Sequence, residues 1–141
     1  MSDITSTKTK YLKDYTLPPF LIESIDLRFD MALEETRVHS TLKIKRNPEA
    51  KNQTVPLVLD GRDLTLVSIA LDGEELSQEA YALSLEQLTL NDCPDRCTLE
   101  TEVIINPVKN SSLEGLYTSG EILCSQCEAE GFRKITFFPD R

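Results

Sequence analysis

Residues 24–45 read SIDLRFDMALEETRVHSTLKIK, and apolar and polar side chains alternate on both sides of a short acidic break. Ile25, Leu27, Phe29, Met31 and Leu33 share one face, while Asp26, Arg28 and Asp30 take the other. After Glu34-Glu35, the run Val38, Ser40, Leu42 and Ile44 alternates with His39, Thr41, Lys43 and Lys45. Successive side chains of an extended chain point to opposite faces, so each run predicts a half-buried strand and the break predicts an antiparallel hairpin. His39, the only histidine, falls on the polar face and reads as a solvated strand residue rather than a ligand or base.

The same pattern extends outward. Upstream, Pro18-Pro19 carries no backbone donors and delivers the chain in extended form. Residues 1–10 have no hydrophobic pattern, so a mobile N-terminal segment is expected over residues 1–15 and a single β domain over residues 16–141. Downstream, Asn47-Pro48 closes the second strand and a polar loop runs to Thr54. Val55, Leu57 and Leu59 restart the alternation, with Pro56 marking an edge or a strand start because it cannot donate to a ladder. Asp60-Gly61 and Asp72-Gly73 are turn signals. Between them residues 64–71 change phase, which predicts a strand either buried on both faces or bulged. Tyr81, Leu83 and Leu85 give one short strand, and Leu88 with Leu90 another. Cys97, Leu99, Thr101, Val103 and Ile105 give a longer one, breached only by Ile104 and stopped by Asn106-Pro107. No stretch sustains a helical period. The expected fold class is all-β, an antiparallel two-sheet sandwich or saddle-like β domain.

A chain of 141 residues is long enough to bury a core without staples. Its 24 acids against 15 bases give a formal charge of −9, which opposes polyanions and argues against nucleic acid as a partner. No run approaches the roughly 18 to 20 apolar residues of a membrane span, and the opening MSDITSTKTKYLKDY has no apolar signal-peptide core. No membrane association and a cytoplasmic location are therefore expected. In a reducing compartment Cys93, Cys97, Cys124 and Cys127 are expected as free thiols. A four-thiolate zinc site is disfavoured, because Pro94 lies within the first pair and residues three apart on a strand face opposite ways. The glycosylation patterns at Asn52-Gln53-Thr54 and Asn110-Ser111-Ser112 read as chance. The chain also has no Gly-rich phosphate loop, no H-E-x-x-H helix, and no base near a nucleophile in sequence.

Residues 116–141, LYTSGEILCSQCEAEGFRKITFFPDR, concentrate what chemistry there is. Turn signals at Gly115, Ser119-Gly120 and Gly131 bracket two cysteines, Gln126 and the acids Glu121, Glu128 and Glu130. From residue type alone Glu128 reads as a surface carboxylate, with Glu121 and Glu130 solvated beside it. Cys127, between Gln126 and Glu128, points the other way in extended backbone and reads as packing. Phe132, Phe137 and Phe138 read as core or interdomain packing.

The string Glu114-Gly115-Leu116-Tyr117, then Ser119-Gly120, then CSQCEAEGF over residues 124–132, followed by Arg133, Ile135, Thr136 and Asp140-Arg141, resembles the close of the N-terminal domain of bacterial aminopeptidases N. Those are zinc peptidases of the thermolysin-like class. Tyr11, Asp14-Tyr15 and residues 25–30 match the opening of that domain, so the resemblance covers nearly all of the chain after about residue 10. It implies a non-catalytic domain of an enzyme that removes N-terminal amino acids from peptides, inactive by itself. Zinc would be bound by a following catalytic domain that the chain lacks, and no metal by this piece. Glu128 would reach into the active-site cleft and, with glutamates of the catalytic domain, hold the substrate's free α-ammonium. Gln126 would stand near the first side chain and carbonyl. The implied partners are peptides with a free N-terminus and the catalytic domain of the same chain. The other reading is a stand-alone β-sandwich module binding protein or carbohydrate, which would not need a Gln-x-Glu element in a glycine-bracketed loop.

Overall fold

A computed structural model describes residues 9–51 and 53–141. The first eight residues of the expected N-terminal segment, and Asn52 of the first glycosylation pattern, lie outside the described residues. Among the described residues ten strands follow a short 3-10 turn at Leu12–Asp14: β1 (Phe20–Asp30), β2 (Thr36–Arg46), β3 (Leu57–Asp60), β4 (Thr65–Leu71), β5 (Glu74–Glu75), β6 (Tyr81–Leu83), β7 (Gln87–Leu90), β8 (Arg96–Ile105), β9 (Gly115–Ser119) and β10 (Ile122–Gln126). They make an antiparallel five-stranded sheet in the order β1-β2-β8-β4-β5, a three-stranded sheet β3-β7-β6, and the hairpin β9-β10.

The alternation that predicts the first hairpin also sets its register. Ile25 stands opposite Leu42 and Asp30 opposite Arg37, while on the other side of β2 Leu42 meets Leu99 and Val38 meets Val103. A slip of one residue would turn Val38, Leu42 and Ile44 out to solvent, so the period of two fixes the pairing. Those three join Leu99, Val103 and Ile105 of β8, Leu57 and Leu59 of β3, and Leu88 and Leu90 of β7 in one buried cluster. The core therefore lies between the five- and three-stranded sheets. Leu57, Leu59, Leu88, Leu90 and Leu99 are each at most 1% exposed, and each such burial is worth about 2 kcal/mol of transfer free energy.

Two local expectations change and one open reading is settled. The first strand begins at Phe20, before the clear alternation, with a bulge between Ile22 and Ser24. It ends at Asp30, so Met31 and Leu33 leave the apolar face and are 50% and 48% exposed. β1 is an edge strand, and its far end has only β2 to pack against. Leu85 drops out of its strand at 92% exposure, because Ser84 turns the chain by accepting the N–H groups of Glu86 and Gln87 on its Oγ. Of the two readings left open for residues 64–71, the bulge is correct: the register shifts between Leu66 and Ser68, and Val67 is 44% exposed.

The Asp72-Gly73 signal becomes a two-residue hairpin joining β4 to β5, with φ of 50° and 85°. Positive φ at both positions matches the right-handed twist of the flanking strands. Phe137, 2% exposed, fills the end of the core beside Gly61, where a β-carbon would fall 2.3 Å from its ring. An antiparallel bridge between Asp60 and Phe138 ties this closing segment to the end of β3.

Candidate functional site

β9 and β10 pair from Ser119 opposite Ile122 to Gly115 opposite Gln126. Gly120 opens the connecting turn at φ +63°, a conformation that costs glycine little and other residues more. Gln126 is thereby the last residue of its strand. Past it the chain doubles back, with the Gly131 N–H donating to the Cys127 carbonyl at 2.9 Å and Lys134 N–H to Gly131 at 3.1 Å. A 3-10 turn over Phe132–Lys134 follows.

This return is possible because two glycines meet. A β-carbon on Gly131 would lie 2.6 Å from the Gln126 carbonyl oxygen, 2.9 Å from Cys127 Cα and 3.2 Å from Gly115 N. A β-carbon on Gly115, itself at φ +76°, would lie 2.7 Å from Lys134 Cβ. The start of β9, the end of β10 and the returning turn are thus packed backbone on backbone. Asn110 holds the approach to β9, donating its amide hydrogens to the carbonyls of Glu114 and Leu116 at 2.6 and 2.9 Å.

On this frame Gln126 and Glu128 are both exposed and Cys127 between them is half-buried against the core. The Glu128 N–H donates to Gln126 Oε1 at 3.1 Å. That bond fixes the orientation of the Gln126 amide and leaves its NH2 group as donor. Burial, and then the Asp140 carboxylate, push the Cys127 thiol above its ordinary pKa, so it is a poor nucleophile and serves as packing.

Glu130 departs from the expectation of a merely solvated acid. It pairs with Lys10 and lies 3.6 Å from the Arg133 guanidinium. The Lys10 hydrogen bond, helped by Arg133, holds its carboxyl below the usual range. Arg133 is the hub behind the loop. It donates from Nε to Asp140 Oδ2 at 3.1 Å and from NH2 to the Asp140 carbonyl at 2.8 Å, and NH1 lies 3.9 Å from Asp60. Asp140 N–H donates in turn to Asp60 Oδ2 at 3.0 Å. Sequence reading does not find this triad, because Asp60 looks like an ordinary turn residue and lies far from Arg133 in the chain.

The loop carries an exposed carboxylate and an exposed amide donor two residues apart, which suits a cationic, hydrogen-bonding group. A cavity of about 770 Å³ elsewhere is lined by Pro18, Phe20, Leu57, Pro139 and Arg141 among others, and by neither Gln126 nor Glu128. Among the described residues no group of three or more His, Cys, Asp or Glu is placed to hold a metal ion.

The fold has counterparts among solved structures. It matches the Legionella pneumophila aminopeptidase A solved in complex with aspartic acid, with a TM-score of 0.86 and 27% identity over 94% of this chain and 16% of that one. It also matches an M1 zinc metallopeptidase from Deinococcus radiodurans, solved with a Tyr-Ser-Ala substrate, at a TM-score of 0.67 and 14% identity over 89% of this chain and 30% of that one. No family model matches the chain. By sequence the chain is homologous to the N-terminal part of aminopeptidase N, being 50% identical over 130 residues to that of Caulobacter vibrioides. The match takes in 92% of this chain, which spans 15% of the length of that relative.

Proposed function

We propose that this chain acts as the non-catalytic N-terminal β domain of a zinc metallo-aminopeptidase, presenting Gln126 and Glu128 to the free α-amine end of a peptide substrate. The observation that carries the proposal is the exposure of Gln126 and Glu128 two residues apart, with the Glu128 backbone N–H donating to Gln126 Oε1, on a turn clamped by Gly115 and Gly131. The homology to aminopeptidase N supports the reading.

An exopeptidase must measure one residue from the chain end. A carboxylate that takes the α-ammonium by charge-assisted hydrogen bonds fixes that distance, and a positioned amide orients the first residue. Rigidity matters here because misplacement of even an ångström erodes a near-attack geometry. The open shape of the loop fits a site completed by a second domain, which would supply the zinc ligands and the activated water. Alone, the chain is expected to turn over no substrate.

The test uses the full-length protein that carries this domain. It should release the first residue from a peptide with a free N-terminus and leave the N-acetylated peptide untouched, and Glu128→Gln should weaken the first reaction. Equal cleavage of both peptides, or wild-type kinetics in Glu128→Gln with zinc retained, would refute the assignment.

A further inference from the structure

The recognition loop leaves one chemically distinctive pair unused. Cys93 sits in the turn at residues 91–95 and Cys97 is the second residue of β8. They are 8% and 4% exposed, and their Sγ atoms stand 3.5 Å apart. Cys97 is held in the ladder opposite Ile44. Cys93 is held through Arg46, whose guanidinium donates to the Cys93 carbonyl at 3.0 Å and to Asp95 Oδ1 at 2.9 Å while stacking 4.5 Å over the Phe20 ring. Packing alone asks only for two small apolar groups at these positions. Two sulfurs in contact, each anchored from a different side, amount to a preorganised dithiol.

We propose that Cys93 and Cys97 form an oxidisable dithiol site, which a small hydroperoxide converts to an intramolecular disulfide. The low exposure selects the oxidant: hydrogen peroxide can reach a sulfur that is nearly buried, whereas a bulky disulfide reagent cannot align on it. The two thiols share one hydrogen bond in which either sulfur can donate, so whichever gives up its proton becomes a thiolate that the other stabilises.

In the first step the thiolate of one of the pair attacks one peroxide oxygen. An S–O bond forms, the O–O bond breaks, and the hydroxide that leaves takes a proton to become water. In the second step the partner sulfur attacks the sulfenic sulfur. The S–S bond forms, the S–O bond breaks, and the departing hydroxide takes the partner thiol's proton as a second water. Two electrons pass from the sulfurs to the peroxide. The nearby partner thiol traps the sulfenic acid before further peroxide can carry it to the irreversible sulfinic state, and a thiol reductant restores the pair.

The test needs only the chain and peroxide. Arg96 lies between the two cysteines, so trypsin separates them unless a disulfide joins them. After peroxide, unfolding and alkylation, the expected product is a linked Cys93/Cys97 peptide pair. It should be about 2 Da lighter than its two reduced halves together, by loss of two hydrogens, and dithiothreitol should reverse it. Cys124 and Cys127 should remain alkylated at the same dose. In Cys93→Ser and in Cys97→Ser, dimedone should trap a sulfenic acid at the cysteine that remains. Oxidation of Cys124 or Cys127 ahead of this pair, or sulfinic acid at Cys93 or Cys97 without the cross-link in the wild-type chain, would overturn the proposal.

Discussion

Gly131 lies directly against the carbonyl of Gln126, so close that a β-carbon would stand 2.6 Å from the oxygen. The obstacle is backbone, which cannot rotate aside as a flexible side chain would. Gly131→Ala is therefore expected to lower unfolding free energy by about 1 to 3 kcal/mol, the usual cost of forcing an extra carbon into packed surroundings. Gly120→Ala is the comparison, since a β-carbon there meets nothing within 4 Å and only the φ of +63° opposes it, at a cost of about 1 to 2 kcal/mol. Urea denaturation of both variants decides the matter, because only Gly131→Ala should also shift the amide resonances of Gln126 and Glu128. Unchanged resonances in Gly131→Ala would show that the turn does not rest on this contact.

Arg133 joins the turn that follows β10 to the end of β3. Its side chain is 14% exposed beside an Asp140 carboxyl that is 12% exposed, and its removal leaves Asp60 and Asp140 facing each other without a cation. Arg133→Ala is expected to cost about 2 to 3 kcal/mol, as for lost hydrogen bonds to charged partners. Arg133→Lys should recover only part of it, since an ammonium cannot reproduce the planar fork. A double-mutant cycle with Asp140→Asn, read by urea melts, should give a coupling well above the scatter of the melts. Simple additivity would mean that the two side chains are neighbours without being partners.

The strands were legible where one face is buried and the other wet. Val38, Leu42, Leu99 and Val103 announce their faces because the two-sheet core demands alternation. β5 was not legible, because Glu74 and Glu75 are exposed and pair only through the turn that precedes them. The proposed role of Gln126 and Glu128 rests on resemblance and not on physics, since an exposed glutamine and glutamate look like any polar surface. What supports them, the Gly115/Gly131 contact and the Arg133 triad, depends on approach distances and on pairing between distant residues, neither of which leaves a local pattern. The Cys93/Cys97 contact was hidden in the same way, by a turn that folds one sulfur onto the other.

Glu130 gives a pH dependence with a defined sign. Its folded pKa is held below the ordinary value of 4.5, first by Lys10 and then by Arg133. A depressed carboxylate contributes stability that is fully present above its unfolded pKa and is lost as pH falls through the folded one. The Glu130 and Lys10 side chains are 42% and 79% exposed, so solvent screening keeps the contribution below about 1 kcal/mol. The wild-type chain should thus lose slightly more stability than Glu130→Gln on going from pH 6 to about pH 3, and 0.5 M salt should shrink the difference. Identical pH profiles at low salt would show that the ion pair contributes nothing.

Glu128 bears the heaviest expectation. If its carboxylate takes the α-ammonium inside a closed, dry cleft, truncation leaves a charged group short of a partner, which typically costs ~2 to 5 kcal/mol. With each ~1.4 kcal/mol worth a factor of ten, kcat/KM of the full-length protein carrying Glu128→Ala should fall by roughly 30-fold or more. KM should rise if the contact already exists in the ground state. Glu130 is unsuitable as the control, because its ties to Lys10 and Arg133 make its loss a structural perturbation. Glu121 is the better choice, an exposed acid in the β9–β10 turn, and Glu121→Ala should leave kinetics within about twofold, as a surface change away from buried groups does. Gln126→Ala should also perturb KM, since it removes both an amide donor and the acceptor of the Glu128 N–H. Full activity in Glu128→Ala with zinc content unchanged, or an equal loss in Glu121→Ala, would mean that the carboxylate at this turn does not read the peptide terminus.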